Sequence, residues 1–148
     1  MKFLAIILSS LIVLSLASCS SGSSAGKGAG SDPYANYTKT ATGLYYLDTK
    51  EGTGPSAQFG QTVTLDYIGK LENGTVFENS YQQKRPISFK LGDEEIIKGW
   101  NQGIINMKKG GKRILVIPPE LGYGSRAVGN SIPANSTLIF EVELIDIK

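Results

Sequence analysis

The stretch from Leu138 to Leu144 constrains the fold more than any other. Leu138, Phe140, Val142 and Leu144 recur at every second position, with Glu141 and Glu143 between them. A period of two puts the apolar side chains on one face of a strand and the carboxylates on the other. Such a strand needs a core on one side and water on the other, which is the pattern of an antiparallel sheet. Val63, Leu65 and Tyr67 repeat it, alternating with Thr64 and Asp66. Glu72-Asn73-Gly74 then supplies turn chemistry, because Asn and Gly tolerate positive φ, and Val76-Phe77 begins a return strand. Ser88 to Leu91 reads as a further short strand ended by Gly92. Arg113 to Ile117 reads as another, stopped by Pro118-Pro119.

One segment breaks the period. Ile96, Ile97, Trp100, Ile104 and Met107 recur at spacings of three and four, which predicts a helix. Asp93 would cap its start, Lys108-Lys109 would complement its dipole, and Gly110-Gly111 would let it stop. Gly99 and Gly103 cost that helix about 1 kcal/mol each relative to Ala, so packing against the sheet has to hold it. The fold class is therefore α+β.

The first part of the chain does not belong to this domain. Met1-Lys2 is followed by an apolar run from Phe3 to Leu14 and then Leu16-Ala17-Ser18-Cys19. That order describes an export signal, and the run is short for a membrane span of about 20 residues. The four residues resemble a bacterial lipobox, whose Cys becomes the diacylated first residue of the mature protein. A plain secretory signal with an incidental Cys is the other reading. Cys19 is the only cysteine, so an internal disulfide is excluded. Ser20 to Gly30 is nearly all Ser, Gly and Ala, the composition of a flexible tether. The expected organisation is a lipoprotein signal peptide over 1–18, a lipidated Cys19 and tether over 19–37, and one domain over 38–148. The expected location is the cell envelope, with the lipid in a bacterial membrane on the periplasmic side or in the outer membrane.

Composition closes several routes to chemistry. The chain has no His, which excludes a Ser-His-Asp triad and any His-ligated metal. Its one Cys sits at the lipidation position, which excludes thiol catalysis. No cofactor or metal is expected. Losing residues 1–18 removes only Lys2, so the formal net charge goes from +2 to +1, and near-neutrality gives no footprint for nucleic acid. Lys108-Lys109 and Lys112-Arg113 form the one dense basic patch, read as a solvated helix end and turn. Glu94-Glu95, Glu141 with Glu143, and Glu72 with Glu78 read as solvated charges.

The chain does offer rings on many elements. Tyr67, Phe77, Phe89, Trp100, Tyr123 and Phe140 come from separate strands, the helix and a loop. A plain hydrophobic core accounts for that pattern. So does a pocket, since buried Trp and Tyr tips need partners and Tyr123 lies in the loop Gly122-Tyr123-Gly124.

Five segments in register resemble one family. They are Val63 to Ser80 (VTLDYIGKLENGTVFENS), Phe89 to Gly92 with Glu95 to Trp100 (FKLG and EIIKGW), Gly103 to Met107 with Gly110, Ile117 to Gly124 (IPPELGYG) and Ile132 to Leu144 (IPANSTLIFEVEL). The chain from about Gly43 to Lys148 resembles FKBP-type peptidyl-prolyl isomerases. The resemblance implies a twisted antiparallel sheet wrapped around one short helix that begins near Lys98. It implies catalysis by Tyr67, Phe77, Glu78, Trp100, Tyr123 and Phe140, with Trp100 as the floor under a proline ring. Phe89, Ile96, Ile97, Ile132 and Ile87 would bind substrate, the Ile97 N–H and the Tyr123 hydroxyl holding peptide carbonyls. Glu78 replaces the usual Asp, Ile87 a frequent rim aromatic, and Val128 and Ser131 differ from the commonest loop residues. Implied partners are proline-containing segments of unfolded or exported proteins, a macrolide inhibitor and, through the anchor, a membrane. The expected state is a monomer. A module that holds apolar peptides without turnover is the alternative.

Overall fold

The alternating segments pair into one antiparallel sheet around a short helix. The computed structural model describes residues 32–148. The expected signal over 1–18, Cys19 and the tether as far as residue 31 lie outside the described residues. Seven strands follow in chain order: β1 (Thr38–Lys39), β2 (Tyr45–Lys50), β3 (Thr62–Leu71), β4 (Val76–Asn79), β5 (Ile87–Lys90), β6 (Lys112–Ile117) and β7 (Leu138–Ile147). A one-turn helix, α1 (Ser80–Gln83), separates β4 from β5, and α2 (Lys98–Ile104) precedes β6. The sheet order is β1-β2-β6-β7-β3-β4, with β5 also on β3.

β7 pairs with β3 along its whole length, from Val63 opposite Ile147 to Leu71 opposite Leu138. Its other edge takes β6, from Lys112 opposite Glu143 to Ile117 opposite Leu138. As the period required, Leu138, Phe140, Val142 and Leu144 are all buried. β2 was not foreseen, because Tyr45-Tyr46-Leu47-Asp48 lacks alternation. It pairs with β6 through a bulge between Asp48 and Lys50. Ordered packing starts ahead of Thr38: Asp32–Tyr37 turns so that the Tyr34 ring lies 5.4 Å from both Tyr37 and Tyr45.

The far edge of β3 is shared. β5 takes Thr62 to Leu65 and β4 takes Ile68 to Lys70, leaving Asp66 and Tyr67 without a strand partner on that side. The chain leaves the sheet there because the Asn79 side chain caps α1 by accepting from the Gln82 N–H. Ser80, buried in the gap, replaces the missing ladder. Its Oγ accepts from the Tyr67 N–H at 2.8 Å and donates to Asp66 Oδ1 at 2.6 Å. The gap is what opens the sheet next to Tyr67.

The helix is shorter than its apolar spacing suggested. Ile97, with φ −55° and ψ 140°, is the non-helical residue before α2 and offers no side-chain cap. Asp93 instead holds the approach turn, its carboxylate accepting from the Glu95 N–H at 3.1 Å. Met107 is buried but lies past the helix end at Ile104. Lys108 and Lys109 pair with Glu51 and Asp146, and so do not serve the helix dipole.

Arg113 takes that place and corrects the reading of a solvated basic patch. It is only 9% exposed, because it shares the inward face of β6 with Leu115 and Ile117. Its Nη1 donates to the Gly103 carbonyl at 2.7 Å, while Nε and Nη2 hold both Asp48 oxygens at 2.7 and 2.9 Å. The two glycines of α2 explain how the helix sits. A Cβ on Gly99 would fall 2.5 Å from Ile117 Cγ2, and one on Gly103 would fall 2.6 Å from Leu115 Cδ2. The residues that weaken the helix alone are those that let it lie flat on β6.

Candidate active site

Trp100 sits in the first turn of α2 and is only 5% exposed. The inward positions of β3 and β7 bring Tyr67 and Phe140 against it edge-on, with ring centroids 5.0 and 5.1 Å away. Phe89 from β5 stacks on it at 5.5 Å, and Phe77 meets Phe140 edge-on at 5.7 Å. Such pairs contribute about 0.5–1.5 kcal/mol each beyond simple burial, which fixes the indole in one orientation.

Over this cluster opens a cavity of about 210 Å³ lined by Tyr67, Glu78, Ile87, Glu95, Ile96, Ile97, Trp100, Tyr123 and Phe140. Glu78 near the end of β4 and Ile87 at the start of β5 flank the gap in the sheet. The indole is therefore reached from outside, not sealed in. Larger hollows of about 290 and 310 Å³ lie away from the indole and include charges already paired, Arg113 with Asp48 in one and Glu141, held by Lys70, in the other.

Eight of the residues singled out from the sequence meet in this cavity, and three do not. Phe77 and Phe89 stand one layer back, supporting Phe140 and Trp100. Ile132 is buried in the core beside the bridge that pairs it with Val128. Val128 and Ser131 are exposed and outside the lining. Glu95 was missed: Glu94-Glu95 reads as a solvated pair, and only the turn before α2 brings Glu95 to the cavity while Glu94 stays outside.

Polar groups at the mouth are few and well defined. The Ile97 carbonyl accepts from the Trp100 and Asn101 N–H groups at 3.0 and 3.3 Å, whereas the Ile97 N–H donates to no acceptor among the described residues. Tyr123, 39% exposed, follows the 3-10 turn Pro119–Leu121, and its hydroxyl likewise has no partner among the described residues. Burial and then the Glu78 charge raise the Tyr123 phenol above its ordinary value. Burial, followed by the Glu78 carboxylate as hydrogen-bond acceptor and charge, does the same more strongly to Tyr67. Both phenols thus stay protonated donors at neutral pH. The Trp100 Nε1–H is buried with no acceptor, against the expectation that its polar tip would be partnered. Its neighbours are rings, which accept N–H groups only weakly.

No Ser, Thr, Cys, His or Lys lines the cavity, so the nucleophiles of the commonest covalent mechanisms are absent from it. What it offers is an apolar floor with donors at the rim, a shape that fits a small aliphatic ring whose flanking carbonyls need partners.

Comparison with known proteins gives this shape a family. Residues 54–145 match the family model described as FKBP-type peptidyl-prolyl cis-trans isomerase. An FK506-binding protein of Neisseria meningitidis is 48% identical over 105 residues, covering 71% of this chain and 96% of that protein. A probable FKBP-type peptidyl-prolyl cis-trans isomerase of Haemophilus influenzae is 47% identical over 109 residues, 74% of this chain and 44% of the relative. Among solved structures, AtFKBP13 superposes with a TM-score of 0.71 at 42% identity, covering 76% of this chain and 98% of the other. FkpA from Escherichia coli superposes with a TM-score of 0.70 at 46% identity, covering 76% and 51%. A family model matched over most of the chain, a relative spanned almost end to end and a shared sheet-and-helix fold lead to one conclusion: the chain belongs to the FKBP-type peptidyl-prolyl cis-trans isomerases.

Proposed function

We propose that the cavity over Trp100 is where this isomerase turns prolyl bonds, and that it serves proteins exported to the cell envelope. Rotation about a peptide bond faces a barrier of about 18–20 kcal/mol because the planar amide is resonance-stabilised. Uncatalysed X-Pro isomerisation accordingly takes tens to hundreds of seconds. The planar amide is more polar than the twisted one, so an apolar site disfavours the ground state relative to the transition state. Trp100, Phe140 and Tyr67 would seat the proline ring, with Phe77 and Phe89 holding those rings in place. The Ile97 N–H and the Tyr123 hydroxyl would hold the flanking carbonyls while the bond turns.

The magnitudes are compatible. A thousandfold acceleration needs about 4 kcal/mol. Two donors supply about 1–3 kcal/mol together, and the remainder falls to the dry aromatic floor. The observation that carries the reading is the Ile97 N–H, left without an acceptor beside the indole.

The test is isomerisation of a proline-containing tetrapeptide. Tyr123→Phe should lower kcat/KM about fivefold, the worth of one hydrogen bond of about 1 kcal/mol, without loss of stability. Trp100→Ala should abolish turnover, with circular dichroism checking that the variant folds. A wild type that binds the peptide without accelerating it would favour the holding module.

Localisation is part of the same proposal. The signal-like residues 1–18 and Leu16-Ala17-Ser18-Cys19 support a lipid on Cys19, with the folded domain acting as a monomer on its tether. Binding of a macrolide inhibitor is proposed for the same cavity, the Neisseria relative being named for binding FK506. Labelling with a radioactive fatty acid should mark the wild type and not Cys19→Ala. An unlabelled wild type would overturn the anchor.

A further inference from the structure

The charge of the cavity rim has a consequence for which prolyl bonds are chosen. Of the nine lining residues, Glu78 and Glu95 are the two carboxylates, and no Lys or Arg stands among them. Lys98 follows Ile97 along the chain but is exposed and outside the lining. The carboxylates come from different elements: Glu78 from β4 and Glu95 from the turn before α2. Neither is held in an ion pair among the described residues, whereas Asp48, Glu51, Glu141, Glu143 and Asp146 all are. Glu78 lines the cavity together with Tyr67 and Tyr123, and its charge helps raise both phenols. A proline ring resting on Trp100 carries its two neighbouring residues past this rim.

We infer that Glu78 and Glu95 make the site select prolyl bonds flanked by a basic residue and reject those flanked by an acidic one. This rests on the Trp100 cavity being the site of turnover. One ion pair at contact distance in water is worth about a fivefold preference, and it weakens as salt shortens the Debye length from about 10 Å at 0.1 M to about 3 Å at 1 M. Glu78, being half-buried, is screened less than the exposed Glu95.

The experiment measures kcat/KM by NMR exchange on two matched tetrapeptide sets, with Lys, Leu or Glu placed directly before the proline in one and directly after it in the other. In at least one set the Lys peptide should exceed the Glu peptide about fivefold or more at low salt, and the ratio should shrink towards one in 1 M NaCl. Glu95→Gln and Glu78→Gln should each reduce the ratio. The ratio is internal to each protein, so a general loss of activity in a variant does not imitate the effect. The wild-type salt series stands even if a variant fails to fold. Equal turnover of Lys and Glu peptides in both sets would overturn this inference and leave the isomerase site intact. A Lys preference that survives in both Gln variants would also overturn it. Absence of turnover for every peptide would instead sink the assignment of the cavity.

Discussion

Replacing Gly99 by Ala sets two effects against each other, and the structure decides which wins. In an isolated helix the change gains about 1 kcal/mol of propensity. Here the new methyl would lie 2.5 Å from Ile117 Cγ2, 2.7 Å from Cδ1 and 2.8 Å from Cγ1. Ile117 is fully buried between β7 and the helix, so it cannot swing away. Overpacking of a tight core costs about 1–3 kcal/mol, and three contacts this close point to the upper end. The expected net loss is about 2 kcal/mol, read as a drop of about 8 °C in Tm or about 1 M in the urea midpoint. The helix has to tilt or slide on β6 to make room, and Trp100 is the next residue, so kcat/KM should fall as well. Ile117→Ala removes all three clashing atoms. A double-mutant cycle should therefore give a favourable coupling of about 1–2 kcal/mol between the two changes. A Gly99→Ala protein as stable as wild type, or additive behaviour in the cycle, would refute the claim that glycine is there for close approach.

Two further outcomes follow from the same geometry. Ser80→Ala leaves the buried Tyr67 N–H without its acceptor and should cost about 1–3 kcal/mol in urea unfolding, whereas a neutral result would mean that water replaces the hydroxyl. On the acid side, the hydrogen bond from Lys112 chiefly holds Glu143 below its ordinary 4.5, and Lys109 does the same to Asp146 from 3.8. A carboxylate depressed in the folded state stabilises fully above its unfolded value and loses that contribution as pH falls through the folded one. Tm should thus be level from pH 7 to about 5 and decline below about 4.5, with a shallower decline in Glu143→Gln.

Strands with one wet face could be found from residues alone, because a period of two has one physical meaning. β3 and β7 are of this kind, and Asn73-Gly74 marks the turn after β3 where Gly74 takes φ 86°. β2 was hidden because half of it faces solvent on both sides, with Asp48, Thr49 and Lys50 exposed. The apolar period alone hid the start of α2, because Ile96 and Ile97 keep a helical spacing while lining the cavity from the approach turn; the family resemblance put it near Lys98, where it lies. Arg113 was hidden because a buried cation looks the same in sequence as a solvated one. Only the partner Asp48, 65 residues away, separates the two cases. For the site, aromatic residues on different elements could be collected, but not sorted into wall and support. Phe77 and Glu78 are neighbours in β4, and it is Glu78 that lines the cavity. That choice depends on the gap between β4 and β5, which the Asn79 cap and Ser80 create.

Catalysis at this site requires that a prolyl segment meet the Ile97 N–H above the indole while its bond turns. An exchange experiment on isotopically labelled protein with a prolyl peptide measures both at once. The expected result is cis/trans exchange shortened from tens of seconds to well below one second, with the Ile97 amide and Trp100 indole signals shifting as peptide is added. Exchange left at its uncatalysed rate, or accelerated while both signals stay still, would contradict it.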